Sequence, residues 1–113
     1  MHVADIWTCD ANGNPKTAFI KGETFYWKVK IIDASGNPVA GATVTVEEWA
    51  PNGSLWFTRT GTTGADGIVT MSRGTNGSTR TGTHTLKVTN VTKSGWTYNP
   101  GANVKSETQF TIS

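Results

Sequence analysis

Apolar and polar side chains alternate with a period of two along most of the chain, and this pattern constrains the fold most strongly. In residues 25–32, for example, Phe25, Trp27 and Val29 alternate with more polar neighbours such as Lys28. Successive side chains of a β-strand point to opposite faces, so each such run predicts a strand with one buried face. No run of useful length has the apolar spacing of an amphipathic helix.

The alternating runs predict seven strands in a single domain. They cover residues 3–8, 25–32, 42–46, 55–59, 67–71, 84–91 and 108–112. Clusters of glycine, asparagine, aspartate and proline separate them at intervals of about 8–12 residues, which is typical of a sandwich or barrel. Because a chain of 113 residues has room for one core, we expect residues 1–113 to form one domain. The predicted fold is an all-β, immunoglobulin-like antiparallel sandwich of about seven strands.

The composition excludes several classes of function and favours an extracellular location. Charged residues make up 16% of the chain, against about 25% in an average soluble domain, and threonine, asparagine, serine and glycine replace them. The lysines and arginines are scattered, so no nucleic-acid-binding surface is expected. No apolar stretch approaches about 18 residues, so no membrane insertion is expected either. Cys9 is the single cysteine, which rules out an internal disulfide and predicts a small buried side chain.

Four segments resemble bacterial immunoglobulin-like domains. They are KGETF (21–25), DASGNPVAGATVTV (33–46), TTGADGIV (62–69) and TYNPGAN (97–103). The last is similar to the segment before the final strand in modules that follow subtilisin-like proteases, and carboxypeptidase regulatory-like and macroglobulin-type domains share the middle pattern. The resemblance implies an accessory module cut from a larger secreted or cell-surface protein, with the flanking domains as its partners. It implies no catalytic residues.

The residues of the chain predict no enzymatic activity and no cofactor. The only histidines, His2 and His84, are far apart in sequence, and no nucleophile signature accompanies either. His84 is expected to have a structural or surface role. Glu47 and Glu48 are adjacent, so in a strand they point to opposite faces and do not share a cleft unless a β-bulge intervenes.

A calcium site is one of two interpretations of the first turn. Asp10, Asn12 and Asn14 have the spacing of the first three ligands of an EF-hand loop, although a proline follows where that loop requires glycine. Aspartate and asparagine are also natural turn formers, because their side chains bond to nearby backbone amides. The same alternatives apply to the turns at Asp33 and Asp66.

Two tryptophans flank the Asn52–Gly53 turn. Alternation places both Trp49 and Trp56 on the outer face, where they would form a platform on which a sugar ring can stack. Glu47, Asn52 and Arg59 would then supply polar contacts. A β-bulge before the turn would instead direct Trp49 inward.

Two functional hypotheses follow, and they differ in where they place the aromatic side chains. The first is a non-catalytic structural module that positions its neighbours, with its aromatic residues buried or covered by flanking domains. The alternative is a module that binds a polysaccharide or another surface protein through exposed tryptophans. Self-association through an uncovered edge strand is a third possibility.

Overall fold

The structure is a computed structural model that describes residues 1–113. It contains eight strands and one short 3₁₀ helix. The strands are β1 (His2–Cys9), β2 (Ala18–Phe19), β3 (Thr24–Ile32), β4 (Thr43–Trp49), β5 (Leu55–Thr62), β6 (Ile68–Gly74), β7 (Gly82–Thr92) and β8 (Glu107–Ile112). The 3₁₀ helix spans Pro100–Ala102, and no helix is long and apolar enough to cross a lipid bilayer.

The strands form two sheets, with the order β1-β3-β6 in one and β2-β8-β7-β4-β5 in the other. All pairings are antiparallel except the short β2–β8 pair. In immunoglobulin sandwiches, strands A, B and E share one sheet and strands C, F and G the other. Here β1, β3 and β6 are separated from β4, β7 and β8 in the same way. The predicted all-β sandwich without a disulfide is confirmed.

The core lies between the inward faces of the two sheets. Eighteen buried apolar residues form one cluster, to which both sheets contribute. Phe25, Trp27, Val29 and Ile31 of β3 are all completely buried, as their alternation predicts. Cys9 is also buried, and burial raises the pKa of its thiol.

All seven predicted strands are present, and most are longer than expected by one to three residues at an end. Strand β2 was not predicted, because two residues are too short to show alternation. It runs parallel to β8, and Ser113 donates a backbone hydrogen bond to Phe19 at 2.9 Å. Its partner lies over 90 residues away in sequence, so no local pattern specifies it.

The edge strands β5 and β6 approach each other at one end of the sandwich. Gly61 faces inward on β5, and a Cβ atom there would lie 2.7 Å from Val69 of β6 and 3.4 Å from Met71. Any side chain at this position would therefore force the two edges apart. Toward the other end, large side chains replace this close contact, and the edges enclose a cleft.

Candidate functional site

A β-bulge on β5 separates the two tryptophans that were expected to form a platform. Trp49 pairs with Leu55 and Glu48 pairs with Phe57, so Trp56 is an extra residue with no partner on β4. The expected outward orientation of Trp56 is wrong, because the extra residue turns its ring against the core. Alternation with Trp56 outside would place Leu55 inside. Because of the bulge, Leu55 is instead 46% exposed.

The tryptophans consequently lie on opposite faces of the five-stranded sheet. Trp49 is on the outer face, as predicted, where it is half-buried beside Thr85 and Lys87. Its indole nitrogen is buried and has no hydrogen-bond partner. A flat pair of aromatic rings is therefore absent from this hairpin.

The other residues predicted for a binding site are also dispersed. Glu47 lies on the outer face of β4, between Lys87 and Thr58 on the neighbouring strands. Asn52 is used by the turn itself, since its side-chain oxygen accepts hydrogen bonds from Ser54. Arg59 faces inward opposite Val46.

The Asp10 turn has the contacts of an ordinary side-chain-stabilised turn. One carboxylate oxygen accepts hydrogen bonds from the amides of Asn12 at 2.9 Å and Asn14 at 3.0 Å. The backbone hydrogen bond from Asn14 is the main cause that lowers the pKa of Asp10. Asp33 repeats the arrangement with two backbone amides of its own turn. These contacts are those of the turn-former interpretation, and calcium binding stays the untested alternative.

The cleft between the edges of β5 and β6, here called the β5–β6 cleft, has a volume of about 310 Å³. The β4–β5 hairpin forms one wall, and the end of β6 with the loop that follows forms the other. Its large side chains are those of Leu55, Trp56, Arg73 and Arg80, with the buried His84 behind them. The remaining lining is mainly hydroxyl and amide groups, so the cleft is polar.

Two arginines flank the aromatic side chains at this edge. The guanidinium carbon of Arg73 lies 4.6 Å from the ring centre of Phe57 and 5.1 Å from that of Trp56. The guanidinium carbon of Arg59 lies 5.6 Å from the ring centre of Phe57, so both arginines contact this ring. These distances are within the range of about 6 Å for cation–π attraction. The bulge is needed for this arrangement, because it brings Trp56 to the inward face beside Phe57.

A buried acid and a buried histidine lie behind the cleft. Glu48 Oε1 is 2.6 Å from His84 Nδ1, and His84 Nε2 is 2.8 Å from the carbonyl oxygen of Arg80. Because that carbonyl only accepts hydrogen bonds, Nε2 must carry a proton and donate it. In a neutral imidazole Nδ1 is then the acceptor, and the Glu48 carboxyl group must be protonated to donate to it.

The surroundings of the pair favour this neutral form. Burial raises the pKa of Glu48 to about 8, although the charge of Arg73 opposes the rise. Burial also lowers the pKa of His84. The second carboxyl oxygen of Glu48 is buried without a donor, which would be costly for an ionised carboxylate. The charged side chains that line the cleft, Arg73 and Arg80, are therefore cationic, and no acidic side chain lines it.

Arg73, Arg80 and the Glu48–His84 pair were not predicted from the sequence as residues of a site. Part of the signal was present, because Val69, Met71 and Arg73 alternate, as do Val44, Val46 and Glu48. Continuing each alternation by two residues places an ionisable side chain, Arg73 or Glu48, on the inward face at the end of its strand. That the two ends meet is a property of the sheet packing, which the local pattern does not contain.

Comparison with protein-family models finds no match for the chain, and comparison with curated protein sequences finds none either.

Proposed function

We propose that the protein is a non-catalytic structural module of a secreted or cell-surface protein, which holds its neighbouring domains apart. The observation that carries the proposal is that the polypeptide enters and leaves at opposite ends of an elongated body, 43 Å in its longest dimension. A rigid body of this shape fixes a separation, whereas a flexible linker of similar length does not.

The two chain termini lie near opposite ends of β7, which runs from Gly82 to Thr92. The amino group of Met1 donates a hydrogen bond to the carbonyl of Thr97, beyond the end of β7. At the other extreme, Ile112 pairs with Gly82, at the start of β7. The first and last strands are both hydrogen-bonded to interior strands along most of their length. Both ends of the chain are thus anchored in the sheets.

The chemistry of the titratable side chains supports a non-catalytic role. Both ring nitrogens of His84 are engaged in hydrogen bonds, and the ring is 1% exposed. A general base must reach the proton that it abstracts, and this imidazole is not accessible. The low charge content fits an extracellular module, and that location is part of the proposal.

The proposal predicts a single long distance between the two ends of the domain. Spin labels are attached at His2→Cys and Ser113→Cys, and the pair distance is measured by pulsed electron paramagnetic resonance. We expect one narrow distribution near the long dimension of 43 Å, because both sites lie in or next to paired strands. The native Cys9 is 1% exposed and should not take up the label.

A control pair at Thr81→Cys and Ser113→Cys should give a much shorter distance, since both sites lie at the end where β7 begins. A broad distribution for the His2–Ser113 pair, or a distance equal to that of the control pair, would rule out a spacer function.

A further inference from the structure

We propose that the β5–β6 cleft binds a carboxylate carried by an acidic polysaccharide, with Arg73 as the residue that recognises the carboxylate of a uronic acid unit. This goes beyond the positioning role and does not depend on it. Three observations support it. The arginines have no acceptor within the protein, no acidic side chain lines the cleft, and hydroxyl and amide groups make up much of its lining.

The arginines of this chain are unpaired. The protein has three, Arg59, Arg73 and Arg80, and none takes part in a salt bridge or a side-chain hydrogen bond. The ion pairs that do form use Lys16 and Lys105 instead. Arg73 is half-buried and still has no acceptor from the protein. Its donors are therefore available to a ligand.

Two aromatic rings restrict the position of the Arg73 guanidinium group. Its carbon lies within cation–π distance of Phe57 and Trp56, whose rings are inclined to each other by 71°. A guanidinium group presents its N–H donors in a planar fork, from which a carboxylate can accept two parallel hydrogen bonds. A lysine at the same place would supply charge without the planar pair of donors.

The charge of the cleft is not compensated from within. Arg73 and Arg80 line it, and no acidic side chain does. Glu48 lies behind it, completely buried and bonded to His84, where burial favours its protonated form. An anionic ligand would supply the missing counter-charge.

The lining favours a hydroxylated ligand over a peptide. Ser54, Asn76 and Ser78 line the cleft, and neither the amide nitrogen of Asn76 nor the hydroxyl of Ser78 has a partner within the protein. Peptide sites are typically built around an apolar anchor pocket or an added strand. Here the aromatic faces are occupied by arginine, which also leaves no platform for a neutral sugar. The volume of about 310 Å³ suits one monosaccharide unit at the lower limit of small-molecule sites.

The test compares ligands that differ only in the carboxylate. Oligogalacturonate and its fully methyl-esterified form are titrated into the protein by calorimetry at low ionic strength. We expect saturable binding of the acid and none of the ester. Equal binding of the two would exclude carboxylate recognition. Polyglutamate or dextran sulfate binding as tightly as oligogalacturonate would exclude a site that recognises the carboxylate of a uronic acid unit.

Matched variants locate the site. Arg73→Gln and Arg73→Lys should each weaken binding of oligogalacturonate by roughly ten- to hundredfold, because both lose the paired charged hydrogen bonds. Arg80→Gln changes an exposed side chain and should weaken binding without affecting folding. Arg59→Gln is the control, since it removes the same charge from the same edge but lies outside the cleft lining.

Two outcomes would overturn the assignment of the site. If Arg59→Gln weakened binding as much as Arg73→Gln, the attraction would be a general effect of charge. If Arg73→Gln and Arg80→Gln both bound as tightly as the native protein, the cleft would not be the site. Thermal unfolding of each variant checks that the loss of binding is not a loss of structure.

Discussion

Raising the pH from 6.5 to 8 is expected to lower the free energy of unfolding by about 2 kcal/mol through Glu48 alone. Its pKa rises from 4.5 to about 8 on folding, so the folded protein keeps a proton that the unfolded chain has lost. Stability due to this group is complete below pH 4.5 and is lost as the pH rises through 8. The slope is about 1.4 kcal/mol per pH unit while only the folded state is protonated.

The pKa shift of His84 limits the net decline in the free energy of unfolding to pH values above about 6.5. Its pKa falls below the ordinary value of 6.5 on folding, so the unfolded chain binds an additional proton below pH 6.5. Stability due to His84 is therefore lost as the pH falls, which offsets the gain from Glu48. As the pH rises above 6.5 the imidazole becomes neutral in the unfolded chain as well, so the contribution of His84 levels off and that of Glu48 dominates.

Glu48→Gln is the matched variant for this prediction. A glutamine side chain can donate to His84 Nδ1 as the protonated acid does, and it does not titrate. Urea unfolding at several pH values should show a decline for the native protein and a flat profile for the variant between pH 6.5 and 8. All other titratable groups are common to both proteins, so the difference isolates Glu48. Parallel profiles would mean that Glu48 is ionised in the folded protein.

Phe25→Ala is expected to lower the free energy of unfolding by about 3–5 kcal/mol. Phe25 is completely buried, and its ring centre lies between 4.6 and 6.2 Å from those of Phe19, Trp27, Trp56 and Phe110. Removing it opens a cavity that aromatic neighbours on both sheets cannot fill by small movements. Single domains are stable by about 5–15 kcal/mol, so the loss is a large fraction of the total.

Tyr26→Ala is the control, because Tyr26 is the next residue of β3 and faces the opposite side. Its loss should cost about 1 kcal/mol or less in urea unfolding. Similar losses for the two variants would contradict the orientation of β3. Because Phe25 also supports Trp56, Phe25→Ala should in addition disturb the position of Arg73 over that ring.

The parts of the fold that could be predicted are those encoded locally. Alternation over residues 25–32 correctly identified β3 and its buried face, because β3 itself contains no inserted residue and keeps the period of two over its nine residues. The turns at Asp10 and Asp33 were identified because their side chains bond to amides only two and four residues away. No distant part of the chain is needed for either.

The parts that could not be predicted depend on one inserted residue or on distant contacts. The bulge at Trp56 interrupts the alternation of β5 at the start of the strand. A strict period of two therefore gives the wrong face for both Leu55 and Trp56. No composition signal distinguishes this hairpin from a regular one. The cleft arises from that shift together with Arg73, which lies on the other sheet. Only the packing of the two sheets brings these residues together.

The bulge and the two inward-facing arginines also bear on whether copies of the molecule aggregate. An open sheet edge is a template for another strand, and proteins protect it with bulges, inward charges or short strands. Strand β5 has the bulge and Arg59, β6 has Arg73, β1 has a register shift between Val3 and Asp5, and β2 is two residues long. Each of the four edges thus has at least one such device. Many copies could therefore be crowded together, as on a densely covered surface, without their sheets joining edge to edge.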